Sequence, residues 1–271
     1  MKYEPVGVFD SGVGGLTVAR EIMRQLPKER IVYFGDTARV PYGSKSQETI
    51  IRYSRQIIRF LKTRNVKAIV VACNTASAFA LDTIQPELDI PIIGVVKPGA
   101  KIAAETTRSG KVGVIGTEGT IRSRIYTETI AKHDPNIQVM AKACPLLVPL
   151  VEEGWLKDKI TVEVATRYLQ PFLESDVDTL IMGCTHYPLL RSMLRRILGN
   201  QVNLVNPAYE TARGLKRLLQ DNDLVNDGKC TADGKHYEFY VSDAAEKFME
   251  FANNILPYDI DNTQLIHIEE Y

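Results

Sequence analysis

The sequence predicts an α/β protein with two pseudo-symmetric lobes, each a mostly parallel β-sheet flanked by helices. Short apolar, β-branched runs alternate with longer amphipathic stretches, which is typical of parallel strands joined by crossover helices. The pattern then repeats: VGVFDS at residue 6 is similar to VGVIGT at residue 112, and VACNT at residue 71 is similar to MGCTH at residue 182. Repeats of about a hundred residues are too long for a solenoid and indicate two related lobes.

The strands and helices of both lobes can be placed in chain order. In the first half, helices are predicted at 16–25 and 48–64, between strands at 6–9, 31–34 and 68–72. In the second half, helices are predicted at 120–133 and 162–173, between strands at 112–115, 137–140 and 180–182. The apolar run 146–151 is interpreted as a buried strand or core segment. Ligands bind beyond the carboxyl ends of strands in open parallel sheets, so we expect the active site in the cleft between the lobes.

The chain changes character after residue 207. A helix is predicted at 210–220, a polar and turn-rich segment at 221–234, a short strand at 237–241 and a helix at 244–255. This tail matches neither lobe and is too short for a third domain. We therefore expect it to pack back onto one of the lobes.

The charge balance excludes several classes of partner. There are 33 Lys and Arg residues and 33 Asp and Glu residues, so no net charge draws the protein towards nucleic acid or an anionic membrane. The longest apolar runs are far shorter than the roughly 18 residues of a membrane span. The first apolar stretch ends at Asp10, too early for a secretory signal. We therefore expect a cytoplasmic protein with no nucleic-acid partner and no membrane partner.

The four cysteines, Cys73, Cys144, Cys184 and Cys230, lie far apart and form no CxxC pair. This spacing argues against a disulfide framework and against a metal site of the zinc type. It predicts free thiols in a reducing compartment. Cys144 and Cys230 have no motif around them and are assigned to structural or exposed positions.

Cys73 and Cys184 share a context that an ordinary core cysteine does not need. Each closes an apolar strand and is followed by polar, turn-forming residues, Asn74 and Thr75 in the first lobe and Thr185 in the second. Because such residues begin helices, each sulfur is expected at a helix N-terminus. There the free N–H groups and the helix dipole lower the pKa of a thiol towards neutral pH. Both thiols are therefore predicted to be reactive.

Two thiols that face one bound molecule from opposite lobes suit stereoinversion. One thiol removes a proton from a carbon atom, and the other delivers a proton to the opposite face of that atom. The pattern therefore favours a racemase or epimerase, and such a reaction requires no metal and no redox cofactor.

The glycine-rich turn DSGVGG at 10–15 has two interpretations. A strand, glycines and a helix in succession are typical of a phosphate-binding turn. However, the spacing is not GxGxxG, there is no Walker lysine, and Asp10 would place a negative charge near a phosphate. We favour an amino-acid ligand, with Ser11 and backbone N–H groups at its carboxylate and Asp10 near its ammonium group or the thiol.

His186, two residues from Cys184, is placed to polarise that thiol or to supply its proton. A hydrolase with a Cys184–His186 pair is thus a second enzyme class, although it leaves Cys73 unexplained. An amino-acid binding protein without chemistry would use the same cleft, although the usual export signal is missing. A basic cluster is interpreted as a solvated helix face: Arg191, Arg195 and Arg196.

Six longer motifs cover both halves of the chain. They are VFDSGVGGL at 8–16, GDTARVPYG at 35–43, ACNTAS at 72–77, GTEGT at 116–120, VPLVEEG at 148–154 and GCTHYPL at 183–189. This set resembles the aspartate/glutamate racemase family, and within it the cofactor-independent bacterial glutamate racemases. Aspartate racemases share the two-cysteine scheme but typically carry a glutamate where His186 stands, so the resemblance favours glutamate as the substrate.

The resemblance implies roles for particular residues. Cys73 and Cys184 would be the two catalytic acid–base groups that interconvert L- and D-glutamate. Asp10 would assist Cys73, and His186 would assist Cys184. Two further carboxylates are implied near the substrate ammonium group, Asp36 and Glu152.

The resemblance also implies a substrate-binding set: Asp10, Ser11, Tyr42, Gly43, Asn74, Thr75, Thr185 and His186. Within it, the backbone N–H groups of Tyr42 and Gly43 are expected to hold the side-chain carboxylate, because Pro41 fixes the turn before them.

The organisation that the resemblance implies is a first lobe of residues 1–97 and 210–271 and a second lobe of residues 98–209. It further implies no cofactor, no metal and a homodimer. The metabolic role would be the supply of D-glutamate for peptidoglycan. Supply of a γ-linked glutamate polymer is the alternative use.

Overall fold

A computed structural model of the chain describes residues 1–228, 236–260 and 262–271. Part of the polar segment predicted at 221–234 and the predicted position of Cys230 therefore lie outside the described residues. Among the described residues, no helix is both long enough and apolar enough to cross a membrane.

The first sheet combines strands from both ends of the chain. Within the described residues its order is β10-β9-β2-β1-β3-β4, and every pair is parallel. The strands are β1 (Val6–Asp10), β2 (Ile31–Gly35), β3 (Ala68–Val71), β4 (Ile92–Gly94), β9 (Tyr237–Val241) and β10 (Gln264–Leu265). The predicted tail strand is thus present, and it pairs with β2 along its whole length.

The second sheet is formed by the middle of the chain. Its order in the described residues is β6-β5-β7-β8, again with every pair parallel. The strands are β5 (Lys111–Gly116), β6 (Gln138–Ala143), β7 (Thr179–Gly183) and β8 (Asn203–Val205).

Helices cover both faces of each sheet. In chain order they are α1 (Leu16–Gln25), α2 (Gln47–Thr63), α3 (Asn74–Phe79), α4 (Leu81–Ile84), α5 (Val96–Thr106), α6 (Glu118–Arg122), α7 (Ile125–His133), α8 (Leu147–Glu152), α9 (Lys159–Leu173), α10 (Arg191–Leu198), α11 (Pro207–Asp221) and α12 (Ala245–Ile255). Short 3₁₀ helices lie at Tyr42–Ser44, Gln85–Glu87, Tyr187–Leu190 and Ile268–Glu270.

The alternation of strand side chains explains the layers. Val8 of β1 packs with α1, α11 and α12 on one face of the first sheet, and its neighbour Phe9 packs with α2 and α3 on the other. In the second sheet, Ile115 packs with α8, α9 and α10, whereas Val114 packs with α5 and α7. The fold is therefore a two-sheet α/β structure, as the sequence predicts.

Some element predictions were wrong. The single helix predicted at 120–133 is two helices, because Arg124 adopts a left-handed backbone (φ 57°) between α6 and α7. The run 146–151 is mostly helix α8 rather than a strand; Leu146 is exposed, although Leu147 and Val151 do lie in the core as the alternative interpretation expected. The elements β4, α5 and β8 were not predicted. Arg195 is not simply solvated, because its guanidinium donates to the carbonyl of Gly199 at the end of α10.

The proposed lobe boundaries fall at the starts of two helices. Residue 98 lies in the first turn of α5, which packs on the second sheet. Residue 210 lies in the first turn of α11, which packs on the first sheet. The division into 1–97 with 210–271 and 98–209 stays our proposal for the lobes.

Candidate active site

A cavity of about 400 Å³ lies where the carboxyl ends of the strands of the two sheets meet. Its size is that of a small-molecule site. Both lobes contribute to its wall: Ser11, Gly12, Val40, Pro41, Tyr42, Gly43, Ser44, Cys73, Asn74 and Thr75 from the first sheet's loops, and Thr117, Glu118, Pro145, Val148, Pro149, Glu152, Cys184, Thr185 and His186 from the second's.

Cys73 lies at the start of α3, two residues beyond β3, as the sequence predicts. Its sulfur accepts a hydrogen bond from the N–H of Ala76 (3.4 Å) and lies 3.6 Å from the Ser11 hydroxyl. The expectation of a lowered pKa was wrong. Burial, together with the nearby charge of Asp10, raises the pKa of Cys73 to about 12, and the helix N–H only partly opposes this effect. Cys73 is therefore a protonated thiol at neutral pH.

Asp10 lies behind Cys73 and does not line the cavity. Its Oδ2 accepts hydrogen bonds from the N–H groups of Gly12 (3.1 Å) and Gly15 (2.9 Å). Its Oδ1 is buried without a hydrogen-bond partner in the described residues. Because these N–H groups of the glycine turn already donate to a carboxylate of the protein, they are not free to bind a phosphate. Burial raises the pKa of Asp10.

Cys184 is the first of three side chains in the second lobe that contact one another in series. Its sulfur lies 3.7 Å from Nδ1 of His186, and Nε2 of His186 lies 3.0 Å from Oε1 of Glu152. Cys184 and His186 are both buried, whereas Glu152 is about one third exposed (34%). The three side chains thus connect the buried thiol to a carboxylate that is in contact with solvent.

The pKa values of His186 and Glu152 each depend on the other group. Burial alone would lower the pKa of His186, but its hydrogen bonds and charge interactions with Cys184 and Glu152 raise the pKa to about 10. Burial alone would raise the pKa of Glu152, but the hydrogen bond from His186 and the charges of His186 and Lys247 hold it below its usual value. An imidazolium and a carboxylate therefore face each other at neutral pH. Lys247, on α12, had no signal in the sequence.

We expect the imidazole of His186 to remain protonated well into the alkaline range. Its folded-state pKa lies above the roughly 6.5 of an unfolded histidine, so it stabilises the fold fully below about pH 6.5. This contribution is lost as the pH rises towards 10. An NMR titration, with the signal assigned by its absence in His186→Gln, should give a midpoint above pH 9. A midpoint below pH 7 would contradict the coupling.

Hydroxyl groups join the two lobes at one side of the cavity. Thr75 lies 2.9 Å from Thr117, oxygen to oxygen, and both contact Thr120. Asn74 accepts a hydrogen bond from the hydroxyl of Tyr126 (2.7 Å). Thr117 was not among the predicted site residues. The internal repeat held the signal, because Thr117 stands at the position equivalent to Ser11.

Asp36 is the predicted site residue whose place differs most from the expectation. It does not line the cavity, and it is fully buried. Its oxygens accept hydrogen bonds from Arg39, from the hydroxyl of Tyr42 and from Ser242. Burial raises the pKa of Asp36, and these three donors oppose that shift. In this geometry Asp36 contacts the loop of Tyr42 and does not reach the cavity wall.

Apart from Glu118, the remaining wall residues were missed because their side chains carry few polar groups. They are mostly apolar or small: Gly12, Val40, Pro41, Ser44, Glu118, Pro145, Val148 and Pro149. No cluster of three or more His, Cys, Asp or Glu that could hold a metal ion occurs in the part of the chain that the structure describes.

Comparison with known proteins places this geometry in a family. The chain matches the family described as Asp/Glu/Hydantoin racemase over residues 6–214. It is 48% identical to a glutamate racemase of Geobacter metallireducens over 99% of this chain and 98% of that protein. It is 44% identical to a glutamate racemase of Neisseria meningitidis, covering 98% of each.

Solved structures agree. A glutamate racemase from Bacillus anthracis superposes with a TM-score of 0.92 at 41% identity, covering 98% of each chain. A glutamate racemase from Francisella tularensis, solved in complex with D-glutamate, has a TM-score of 0.92 at 39% identity, covering 100% of each chain. An aspartate racemase from Picrophilus torridus, at 18% identity and a TM-score of 0.56 over 81% of this chain, shows the shared fold alone.

The fold, the cleft and these relatives define an isomerase of the racemase class. The chain belongs to the Asp/Glu/hydantoin racemase family. The family predicted from the sequence motifs and the predicted fold class are thereby confirmed.

Proposed function

We propose that this protein is a glutamate racemase that interconverts L- and D-glutamate by proton transfer between two thiols. One observation carries the proposal: Cys73 and Cys184, from different lobes, line the same cavity. Relatives named as glutamate racemases, over nearly the full length of the chain, support glutamate as the substrate.

The reaction balances without a cofactor. One thiolate takes the proton from Cα, which leaves the electron pair of the broken C–H bond on the substrate as a carbanion. The opposite thiol then gives its proton to the other face of Cα and becomes the thiolate. The reverse direction exchanges the two roles. With its raised pKa, Cys73 holds a proton at neutral pH and is suited to the acid role at the start of one direction.

The residues behind each thiol support the proton transfer. The imidazolium of His186 lies beside the sulfur of Cys184 and can donate a hydrogen bond to it once the proton has left. Glu152 holds the imidazole ring from the other side. On the first lobe, the hydroxyl of Ser11 takes the corresponding place beside Cys73. We assign to Asp10 the role of assisting Cys73 through its negative charge, which raises the pKa of the thiol and so makes its thiolate a stronger base.

The carbanion needs fixed donors, because the α-proton of an amino acid is far less acidic than a thiol. We assign the hydrogen bonds to the α-carboxylate to the polar groups Ser11, Asn74, Thr75, Thr117 and Thr185. Such preorganised donors are strong in a cavity that excludes water. Tyr42 and Gly43 line the cavity, and we assign their backbone N–H groups to the side-chain carboxylate.

Incubation with L-glutamate in deuterium oxide tests the proposal. We expect the circular dichroism of the solution to decay to zero and the D-glutamate formed to carry deuterium at Cα, because the second thiol delivers a solvent-derived proton. The same experiment without any added cofactor should give the same rate. Tight binding of glutamate without decay would support the binding protein instead, and hydrolysis of an amide without racemisation would support the Cys184–His186 hydrolase.

We further propose that the protein is a cytoplasmic homodimer that supplies D-glutamate for peptidoglycan. The family resemblance supports this role. Restored growth of a bacterial strain that requires D-glutamate would test the role, and sedimentation equilibrium would test the dimer. A monomer at micromolar concentration would exclude the homodimer.

A further inference from the structure

The tail of the chain touches the loop that we assign to the substrate side-chain carboxylate. Ser242 follows β9 directly, and its hydroxyl donates a hydrogen bond to Oδ1 of Asp36 (2.9 Å). The same hydroxyl oxygen accepts a hydrogen bond from the N–H of Ala38 (2.9 Å). Ser242 thus binds both a buried carboxylate and the backbone of the loop 36–44, although 206 residues separate it from Asp36.

Asp36 connects Ser242 to Tyr42, which lines the cavity. Its Oδ2 accepts the hydrogen bond of the Tyr42 hydroxyl, while Oδ1 faces Ser242. Arg39 bridges both oxygens through Nε (2.9 and 2.8 Å), and Gln56 holds its guanidinium from the other side (2.6 Å). The carboxylate is therefore fully occupied by protein groups: Arg39 holds both oxygens, and Ser242 and Tyr42 each fix one of them.

The side chain of Tyr42 is buried, while its residue lines the cavity together with Gly43. We expect a change in the orientation of Asp36 to move the tyrosine hydroxyl, which it binds, and with it the backbone N–H groups of the 3₁₀ helix Tyr42–Ser44. Those N–H groups do not touch the reacting carbon in our assignment. Their displacement should change the binding of substrate more than the chemical step.

We propose that Ser242 is a positioning residue that acts through Asp36 to hold the N–H groups of Tyr42 and Gly43 towards the distal carboxylate of the substrate. This inference rests on the proposed glutamate racemase function. It assigns a part in substrate recognition to a segment of the tail that carries no family motif.

Ser242→Ala tests this inference. Loss of a hydrogen bond to a charged group should raise KM for glutamate about tenfold, whereas kcat should stay within about twofold, because the thiols are untouched. Ser242→Thr keeps a hydroxyl and should restore KM to within about twofold of the wild-type value. Ser175→Ala is the matched control, because that hydroxyl also donates one hydrogen bond, to the carbonyl of Phe172 (2.9 Å), and accepts one, from the N–H of Val177 (3.4 Å), but lies on the second lobe, away from the cavity.

The outcomes separate the two proposals. An unchanged KM in Ser242→Ala, a fall in kcat at constant KM, or a failure of Ser242→Thr to restore KM would overturn the positioning role. A wild-type protein that does not racemise glutamate would overturn the proposed function instead. In that case calorimetry with D-glutamate still decides the role of Ser242, since the dissociation constant should rise in Ser242→Ala and not in Ser175→Ala.

Discussion

Replacement of either Cys73 or Cys184 by serine should lower kcat for glutamate racemisation by about 10³-fold or more. A serine hydroxyl has nearly the same shape as a thiol, but it is a far weaker acid than a thiol in the same surroundings, so it neither gives up nor takes the proton at a useful rate. General acid–base catalysis by one group contributes about 10²- to 10⁴-fold, and each thiol acts as acid in one direction and as base in the other. The loss should therefore appear in both directions, measured by circular dichroism from each pure enantiomer.

Cys144→Ser is the matched control for these variants. Cys144 is a third buried free thiol, and its sulfur lies 3.6 Å from the carbonyl oxygen of Lys142 rather than in the cavity. This variant should keep kcat within about twofold of the wild-type value. Full activity in either Cys73→Ser or Cys184→Ser would refute proton transfer between two thiols.

Gly14→Ala should lower kcat by about 10²-fold, although Gly14 makes no contact with the substrate in our assignment. A Cβ atom at this position would lie 2.3 Å from the hydroxyl oxygen of Thr185 and 2.6 Å from Nδ1 of His186. Real Cβ atoms do not approach other atoms so closely, so the added methyl group must displace the side chains of Thr185 and His186 from their places in the site. A misplacement of about 1 Å in a catalytic group costs about 10²-fold in rate.

Steady-state kinetics of Gly14→Ala and Gly110→Ala side by side measures this effect. Gly110 has a left-handed backbone (φ 68°), and a Cβ atom there would have no neighbour within 4 Å. Its replacement should therefore cost about 1–2 kcal/mol in the free energy of unfolding through backbone strain, but should leave kcat unchanged. Wild-type kcat in Gly14→Ala would show that His186 tolerates displacement.

Most of the fold could be predicted from the sequence, because the signals are local. The apolar runs at β1, β2, β3, β5 and β7 are buried along most of their length and stand out between amphipathic helices. The short strands β4 and β8 have three residues each, too few for a recognisable pattern. The break between α6 and α7 was missed because it depends on the left-handed backbone of Arg124, a residue type that gives no warning of it.

The site could be predicted only where its residues belong to a motif. The motifs at 72–77 and 183–189 contain both thiols, and the repeat between them indicated one shared cleft. Lys247 and Ser242 belong to no motif, and they lie close to Glu152 and Asp36 only because β9 pairs with β2 and α12 follows β9. Their roles depend on contacts between distant parts of the chain, and no local pattern reports such contacts.

By itself the sequence determined the two-sheet α/β fold, the family and the positions of the two thiols, because strand periodicity, glycine-rich turns and internal repeats are properties of neighbouring residues. The tertiary structure alone decided how those residues behave. Burial raises the pKa of the Cys73 thiol although it caps a helix, and the carboxylate of Asp36, which the family resemblance places near the substrate, binds Tyr42 and Ser242 and does not line the cavity. Both outcomes follow from desolvation and from hydrogen bonds through space, which depend on what the folded chain places around a group rather than on what precedes or follows it.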